Sequence, residues 1–392
     1  MKTKRVSALA TIIVAVLLPI ICAAQVNSGS NGSDGAFNPT TNTVINMSDH
    51  PAGIYQYTSV NIPTNVTVTF IPNANNSPVT WLVQGSCVIS GTVDISGQHG
   101  NDITSGQGGP GGCAGGAGGQ GDSWLAHMGA GLGGGNAAQQ GVNSIGGNGS
   151  YATVGQSWQQ AAPGLTYGNK YLLPLLGGSG GGGGYISSGA GGGGAILIAS
   201  DSTIIVDGSI VASGGGAGGN YGRGGGGSGG GIRLVAPQIL GHGNLIAFGG
   251  PSITPAGDGF IRLDVLDDQF TGILYDSASR GFNPILIAPA QTASLSIQSI
   301  AGNTVPTNPT GVLFTPDASI SSQQTNPIPI VVRCVNLPLG TPVTVVVKPV
   351  NGPMVLGSTA NNAGTQISST ATVSIVMPRG GGLVYATAGT SN

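Results

Sequence analysis

Residues 214–231 contain 13 glycines in 18 positions, and further runs stand at 108–112, 115–119, 177–184 and 191–194. Glycine loses more backbone entropy on folding than any other residue, so segments this rich in it order only where the missing side chain is needed. Two outcomes are open. The runs are flexible linkers, or they are extended segments packed so closely that a Cβ would not fit. Residues 191–198 read Gly-Gly-Gly-Gly-Ala-Ile-Leu-Ile, a glycine run leading straight into an aliphatic strand, and this favours close packing.

The rest of the alphabet points to strands. All 13 acidic residues are Asp and none is Glu, and charged residues make up 6% of the chain. Amphipathic helices with charged outer faces can hardly be written with such a composition, whereas Val, Ile, Thr and Ser suit half-buried strands. Past residue 24 no Lys or Arg cluster stands ready for phosphate, which argues against nucleic acid as a partner.

The N-terminus carries Lys2, Lys4 and Arg5, then an apolar run from Ala8 to Ala24, then small residues before Gln25. This order predicts a cleaved signal peptide over 1–24, export, and a secreted or cell-surface protein with no transmembrane segment in the mature chain. A retained anchor and a lipidated Cys22 are the alternatives. The mature chain would carry a formal charge of −5 and three cysteines, so at least one is unpaired within the monomer. A Cys87–Cys113 bridge is possible in an oxidising compartment, although spacing does not show that the two meet.

Alternation with a period of two runs through Val60 and Ile62, Val66 and Val68, Trp81 and Val83, and Val93 and Ile95. A seven-residue unit then repeats, beginning and ending with glycine, at 91–97, 208–214 and 243–249. Short apolar strands precede the copies at Trp81–Val83, Ile196–Ile198 and Ile232–Leu234, and another follows at Phe260–Leu263. Stacked short strands with glycine corners predict a glycine-rich, parallel β-helix-like β-solenoid over 25–283, with a long glycine-rich insertion at about 99–194. Glycine thins and proline rises after Asn283. The alternating segments of 284–392, with a turn at Asn351-Gly352, predict an immunoglobulin-like β-sandwich.

Several segments in fixed order, Ser33-Asp34-Gly35-Ala36-Phe37, Gly53-Ile54-Tyr55, residues 62–70 and 88–97, then 228–237 and 257–263, resemble a widespread set of secreted, glycine-rich bacterial proteins. The resemblance spans about 33–281. It implies an exported protein and transfers no catalytic residue. Cys113 stands where the set has an aromatic after Pro-Gly-Gly.

Chemistry is sparse. Asp264, Asp267 and Asp268 form the one dense acidic group; on a strand Asp264 and Asp268 share a face with Arg262, so these three are the catalytic candidates of a polysaccharide-active enzyme. A solvated strand end is the plainer reading. Trp124, Trp158, Tyr167, Tyr185 and Tyr221 are candidates for stacking on glycan, or for pinning glycine loops. Asp122, in Gly118-Gly119-Gln120-Gly121-Asp122, is a single copy of a calcium-type glycine turn, and calcium sites of that kind need tandem copies. His50, His99, His127 and His242 lack the spacing of a zinc pair. The expectation is therefore a structural or adhesive protein contacting glycan or matrix. The enzyme and a self-associating surface layer or appendage are the alternatives.

Overall fold

The computed structural model describes residues 26–102, 104–119, 125–139, 145–157, 160–218, 224–275, 277–281, 293–307, 309, 315–350, 353–365 and 367–388. The expected signal peptide lies outside the described residues, as do Asp122, Trp124, Trp158 and Tyr221. Among the described residues the chain is almost all β, its one helical element being the short 3-10 turn Met47–Asp49. No helix among them is long and apolar enough to cross a membrane.

The first unit is laid down in successive passes. β1 (Gly35–Phe37) and β2 (Thr43–Asn46) make the first, and β3 (Ile54–Ile62) and β4 (Thr67–Ile71) the second. β5 (Val79–Val83), β6 (Cys87–Ile89) and β7 (Thr92–Asp94) follow, then β8 (Ala195–Ser200), β9 (Thr203–Val206) and β10 (Ser209–Val211). β11 (Gly231–Gly241) with β12 (Asn244–Ile246) and β13 (Phe260–Phe270) with β14 (Ile273–Tyr275) complete the passes, and β15 (Ser277–Gly281) ends the unit.

Every pairing among these strands is parallel. One sheet has nine strands in the order β15-β13-β11-β8-β5-β3-β6-β9, with β1 beside β3; the other has six, β14-β12-β10-β7-β4-β2. The repeated heptads lie side by side, Ser209 opposite both Thr92 and Asn244. Alternate residues such as Val60, Trp81, Val93, Ile198, Ile210, Leu245 and Leu263 meet in one buried core. Burial of each such side chain contributes about 1.5–3 kcal/mol.

The expected β-solenoid followed by an immunoglobulin-like sandwich is corrected on both counts. In a plain stack each strand pairs only with those above and below. Here β3 is long enough to pair with β5 and then β6, and β11 with β8 and then β9. Because β5 also pairs with β8 and β6 with β9, six parallel strands close into a hydrogen-bonded circuit, β3-β5-β8-β11-β9-β6, the connectivity of a closed barrel. Pro237 stands in β11 between the stretch that pairs with β8 and the stretch that pairs with β9, where no ladder N–H is required.

The second unit is antiparallel. It comprises β16 (Ser294–Ile300), β17 (Asn303–Thr304), β18 (Ile328–Val335), β19 (Pro342–Pro349), β20 (Val355–Ala360), β21 (Ala363–Gly364), β22 (Ser368–Ile375) and β23 (Gly382–Ala388). They form a five-stranded sheet, β17-β16-β18-β22-β21, and a three-stranded sheet, β20-β19-β23, around a core that includes Ile330, Val332, Val345 and Val373. The five-plus-three division departs from the four-plus-three of the expected sandwich. The intersheet disulfide and buried Trp of an immunoglobulin domain have no source here, since Cys334 is the last cysteine and Trp158 the last tryptophan. Cys334 is buried in this core.

The described glycine runs are packed, not loose. Backbone N–H groups of Ser188, Gly191 and Gly194 donate to the carbonyls of Asn101, Gln98 and Ile95, at 2.8, 3.0 and 2.8 Å. Those of Gly189, Gly192 and Ala195 donate to Gly116, Cys113 and Pro110, at 2.7, 2.8 and 2.8 Å, and those of Ala190 and Gly193 to Gly225 and Ser228. Partners thus recur every third residue, the period of an extended threefold helix of the polyproline II kind. The run 177–184 repeats the scheme: Gly177, Gly180 and Gly183 donate to Gly111, Ala130 and His127, while Gly178, Gly181 and Gly184 donate to Gly193, Ala190 and Ser187. A Cβ on Gly191, Gly192 or Gly193 would lie 2.0, 2.3 or 2.0 Å from Gln107, Gly178 or Ala212 backbone atoms, each on a different neighbour. Glycine is required at these positions because backbone stands where a side chain would be.

Candidate functional site

The acidic group in β13 is a clasp. Asp264 is 1% exposed and Arg233, the cross-strand neighbour of Arg262 on β11, is 3% exposed. Arg233 Nε donates to Asp264 Oδ2 at 3.0 Å; Arg262 Nε and Nη2 donate to Oδ1 at 2.9 and 2.7 Å. Arg233 Nη2 is also 2.9 Å from Oδ2 but off the N–H direction, so that N–H has no acceptor. Burial lowers the pKa of Arg233 while Asp264 opposes the shift. The Arg262 guanidinium lies 5.4 Å from the centroid of the Tyr171 ring, and Ser279 Oγ donates to Lys170 O at 2.7 Å. Segment 169–176 thus lies over this face, with Leu175 packed beside Leu82, Leu197, Ala199 and Val235.

Of the three catalytic candidates, the fold joins Arg262 to Asp264 and engages Asp268 elsewhere. Asp268 pairs with Arg280 and accepts from Phe270 N, and Asp267 accepts from Gln238 and Gln269. A carboxylate fixed by two guanidiniums and shut from solvent is poorly placed to exchange protons with a substrate.

Tyr167 is a pin. Its hydroxyl donates to Gly177 O at 2.6 Å and accepts from Ser179 Oγ at 2.9 Å, and its ring is 4.5 Å from that of buried Tyr151. Tyr151 in turn meets Phe260 edge-on at 5.0 Å and donates to Leu176 O at 2.8 Å. Burial raises both phenols well above their ordinary range. These two rings fasten the glycine layer to β13.

Tyr185 belongs to a different setting. Gly184 N donates to Ser187 O at 2.7 Å across the turn holding Tyr185 and exposed Ile186. At this end Gly119 N reaches Gly184 O, Ala138 N reaches Gly183 O, Ser188 N reaches Asn101 O, and Ser187 Oγ reaches Gly218 O. The ends of five glycine-layer segments therefore gather here, with Leu125 also exposed. At the opposite end the second unit docks. Lys348 Nζ donates to Gly134 O at 2.6 Å, and Tyr385 Oη accepts from Gly131 N at 3.2 Å. Burial lowers the Lys348 ammonium to about 8.

The described cysteines Cys87, Cys113 and Cys334 are free thiols, which corrects the possible Cys87–Cys113 bridge. Cys87 lies in the strand core and Cys113 in the glycine layer, where Gly192 N donates to its carbonyl. Burial pushes their thiols up to about 12 and about 11. Among the described residues no group of three His, Cys, Asp or Glu could hold a metal ion. His50 stacks on Tyr55 at 4.1 Å, with its Nδ1 2.9 Å from Asp49 and its Nε2 3.4 Å from Asp34.

No protein-family model, curated protein or solved structure matches this chain. Its functional reading therefore rests on its own geometry. One feature passed over in the sequence is a cleft of about 110 Å³ where β4 and β7 end and residues 108–110 cross above them. Asp94, which alternation along β7 turns away from the buried face of Val93, lines it.

Proposed function

We propose that this chain is a secreted or cell-surface structural and adhesive protein that contacts extracellular glycan or matrix. The observation that carries the reading is the two-ended glycine layer: the second unit docks at one end, and the described ends of five segments gather at the other. A contact surface carried on segments this densely hydrogen-bonded loses little ordering entropy on binding. The absence of Lys and Arg clusters suits neutral rather than strongly anionic partners. Clasping of Asp264 between two arginines supports binding over polysaccharide cleavage.

The test is a glycan array and a panel of matrix proteins probed with the full chain and with a Leu125→Ser, Ile186→Ser variant. Binding by the wild type, weakened in the variant at unchanged unfolding midpoint, is the expected result. Lack of binding across both panels would remove the adhesive reading.

A further inference from the structure

We propose that the cleft between the ends of β4 and β7 and the glycine segment 108–110 is a binding subsite for one neutral sugar ring. This rests on the adhesive reading above and assigns it a ligand class and a place. Its polar lining is uncommitted. Asp94 Oδ1 accepts from Ser96 N at 2.9 Å, but Oδ2 has no protein partner among the described residues, and neither do the side chains of Thr69, Ser96 and Gln98. Thr69 and Asp94 sit in adjacent register, following the Val68–Val93 pair. Apolar surface comes from half-buried Phe70, whose ring is 6.1 Å from Trp81, and from Pro110.

The walls are fixed before any ligand arrives. Asn76 Nδ2 donates to Gly112 O at 2.5 Å and its Oδ1 accepts from Gly111 N at 3.2 Å, tying the 73–77 turn to the glycine segment. Gly109 N donates to Gly192 O at 3.0 Å, and Gln98 N to Gln107 O at 2.8 Å. A site whose backbone is already hydrogen-bonded loses little entropy on binding.

The chemistry selects the ligand. With no cation in the lining, the carboxylate repels anionic groups. One carboxylate is far short of the six to eight oxygens that calcium takes. A carboxylate oxygen accepting from a hydroxyl makes a charge-assisted bond, and the hydroxyls of Thr69 and Ser96 and the Gln98 amide both donate and accept, as a ring bearing several hydroxyls requires. A cleft of about 110 Å³ has room for several waters and suits a single ring of a longer chain.

The experiment titrates the full chain with methyl glycosides of glucose, galactose, mannose and N-acetylglucosamine by saturation-transfer NMR and calorimetry, alongside the glycan array. Asp94→Asn keeps the Oδ1 acceptor for Ser96 N and removes the charge. It is expected to weaken binding at least tenfold, with Gln98→Ala weakening it several-fold and Asp102→Asn leaving it unchanged. Array binding by the wild type that survives in both cleft variants would overturn the subsite and keep the adhesive reading. No glycan or matrix binding by the wild type would overturn both.

Discussion

Replacing Gly192 by Ala tests whether the glycine runs are structure or slack. The new methyl would lie 2.3 Å from both the carbonyl carbon and oxygen of Gly178 and 2.7 Å from Ser179 N. Ordinary contact begins near 3.4 Å, so the two backbones must part by more than 1 Å. That movement stretches the bonds from Gly178 N to Gly193 O and from Gly181 N to Ala190 O, now 2.7 and 2.9 Å, beyond hydrogen-bonding range. Overpacking costs about 1–3 kcal/mol, and each buried backbone group left unpaired costs about 1–3 more. With at least one group orphaned at each of the two bonds, a loss of about 3–9 kcal/mol is expected, a large part of the ~5–15 kcal/mol that holds a typical domain together. Gly340→Ala is the control: there is open space around it and only a positive φ to violate, so it should cost about 1–2 kcal/mol. Urea unfolding with amide exchange of 177–194 reads both. In a flexible linker Gly→Ala would instead stabilise by ~0.4–1 kcal/mol through the unfolded state, so an unchanged or raised midpoint for Gly192→Ala would refute the packed layer.

Asp264→Asn leaves two buried guanidiniums without their counter-charge and should destabilise the chain by about 3–5 kcal/mol in urea unfolding; a variant of wild-type stability would show that the clasp is not structural. Lys348 has an ordinary pKa of 10.5 that burial lowers to about 8. The unfolded chain binds more protons between these values, so this lysine's contribution to stability rises with pH across that window and its cost is greatest below pH 8. Lys348→Met should therefore be the more stable protein at pH 7.5, and the difference should narrow towards pH 10 by up to about 3 kcal/mol; a pH-independent difference would refute the assignment. Cys87, Cys113 and Cys334 should all react with a thiol reagent after unfolding without reductant, while Cys87 and Cys113 resist it in the folded chain at pH 8. Modification of only one of the three after unfolding would restore a disulfide.

The seven-residue repeat was legible because its glycines and aliphatics mark a physical register: Val93, Ile210 and Leu245 are now stacked neighbours. The close packing of the glycine segments was legible from their direct entry into Ile196–Ile198. The closed circuit was not. It depends on how far β3 and β11 run on past their first partners, and the alternation in Gly231–Gly241 does not show which strand it pairs with at each end. The clasp was half legible, since Arg262 and Asp264 are two apart on one strand, whereas Arg233 comes from β11 and the cover from residues 169–176. Tyr167 and Tyr185 looked alike as isolated rings in glycine loops. Only the three-dimensional path of the segments makes one an internal pin and places the other in an outer turn. The cleft at Asp94 had no local signal, because half its lining arrives from beyond a glycine corner.

The threefold succession of partners also makes the glycine segments sensitive to phase. Deleting one residue from 187–194 would turn the downstream part by a third of a revolution, aiming Gly194 at the strand that Gly193 now serves and setting every later donor before the wrong acceptor. Lengthening or shortening by three restores the match and shifts only the reach of the outer turn. Such a layer can vary the height of its outer turns in steps of one triplet, while its interior keeps count.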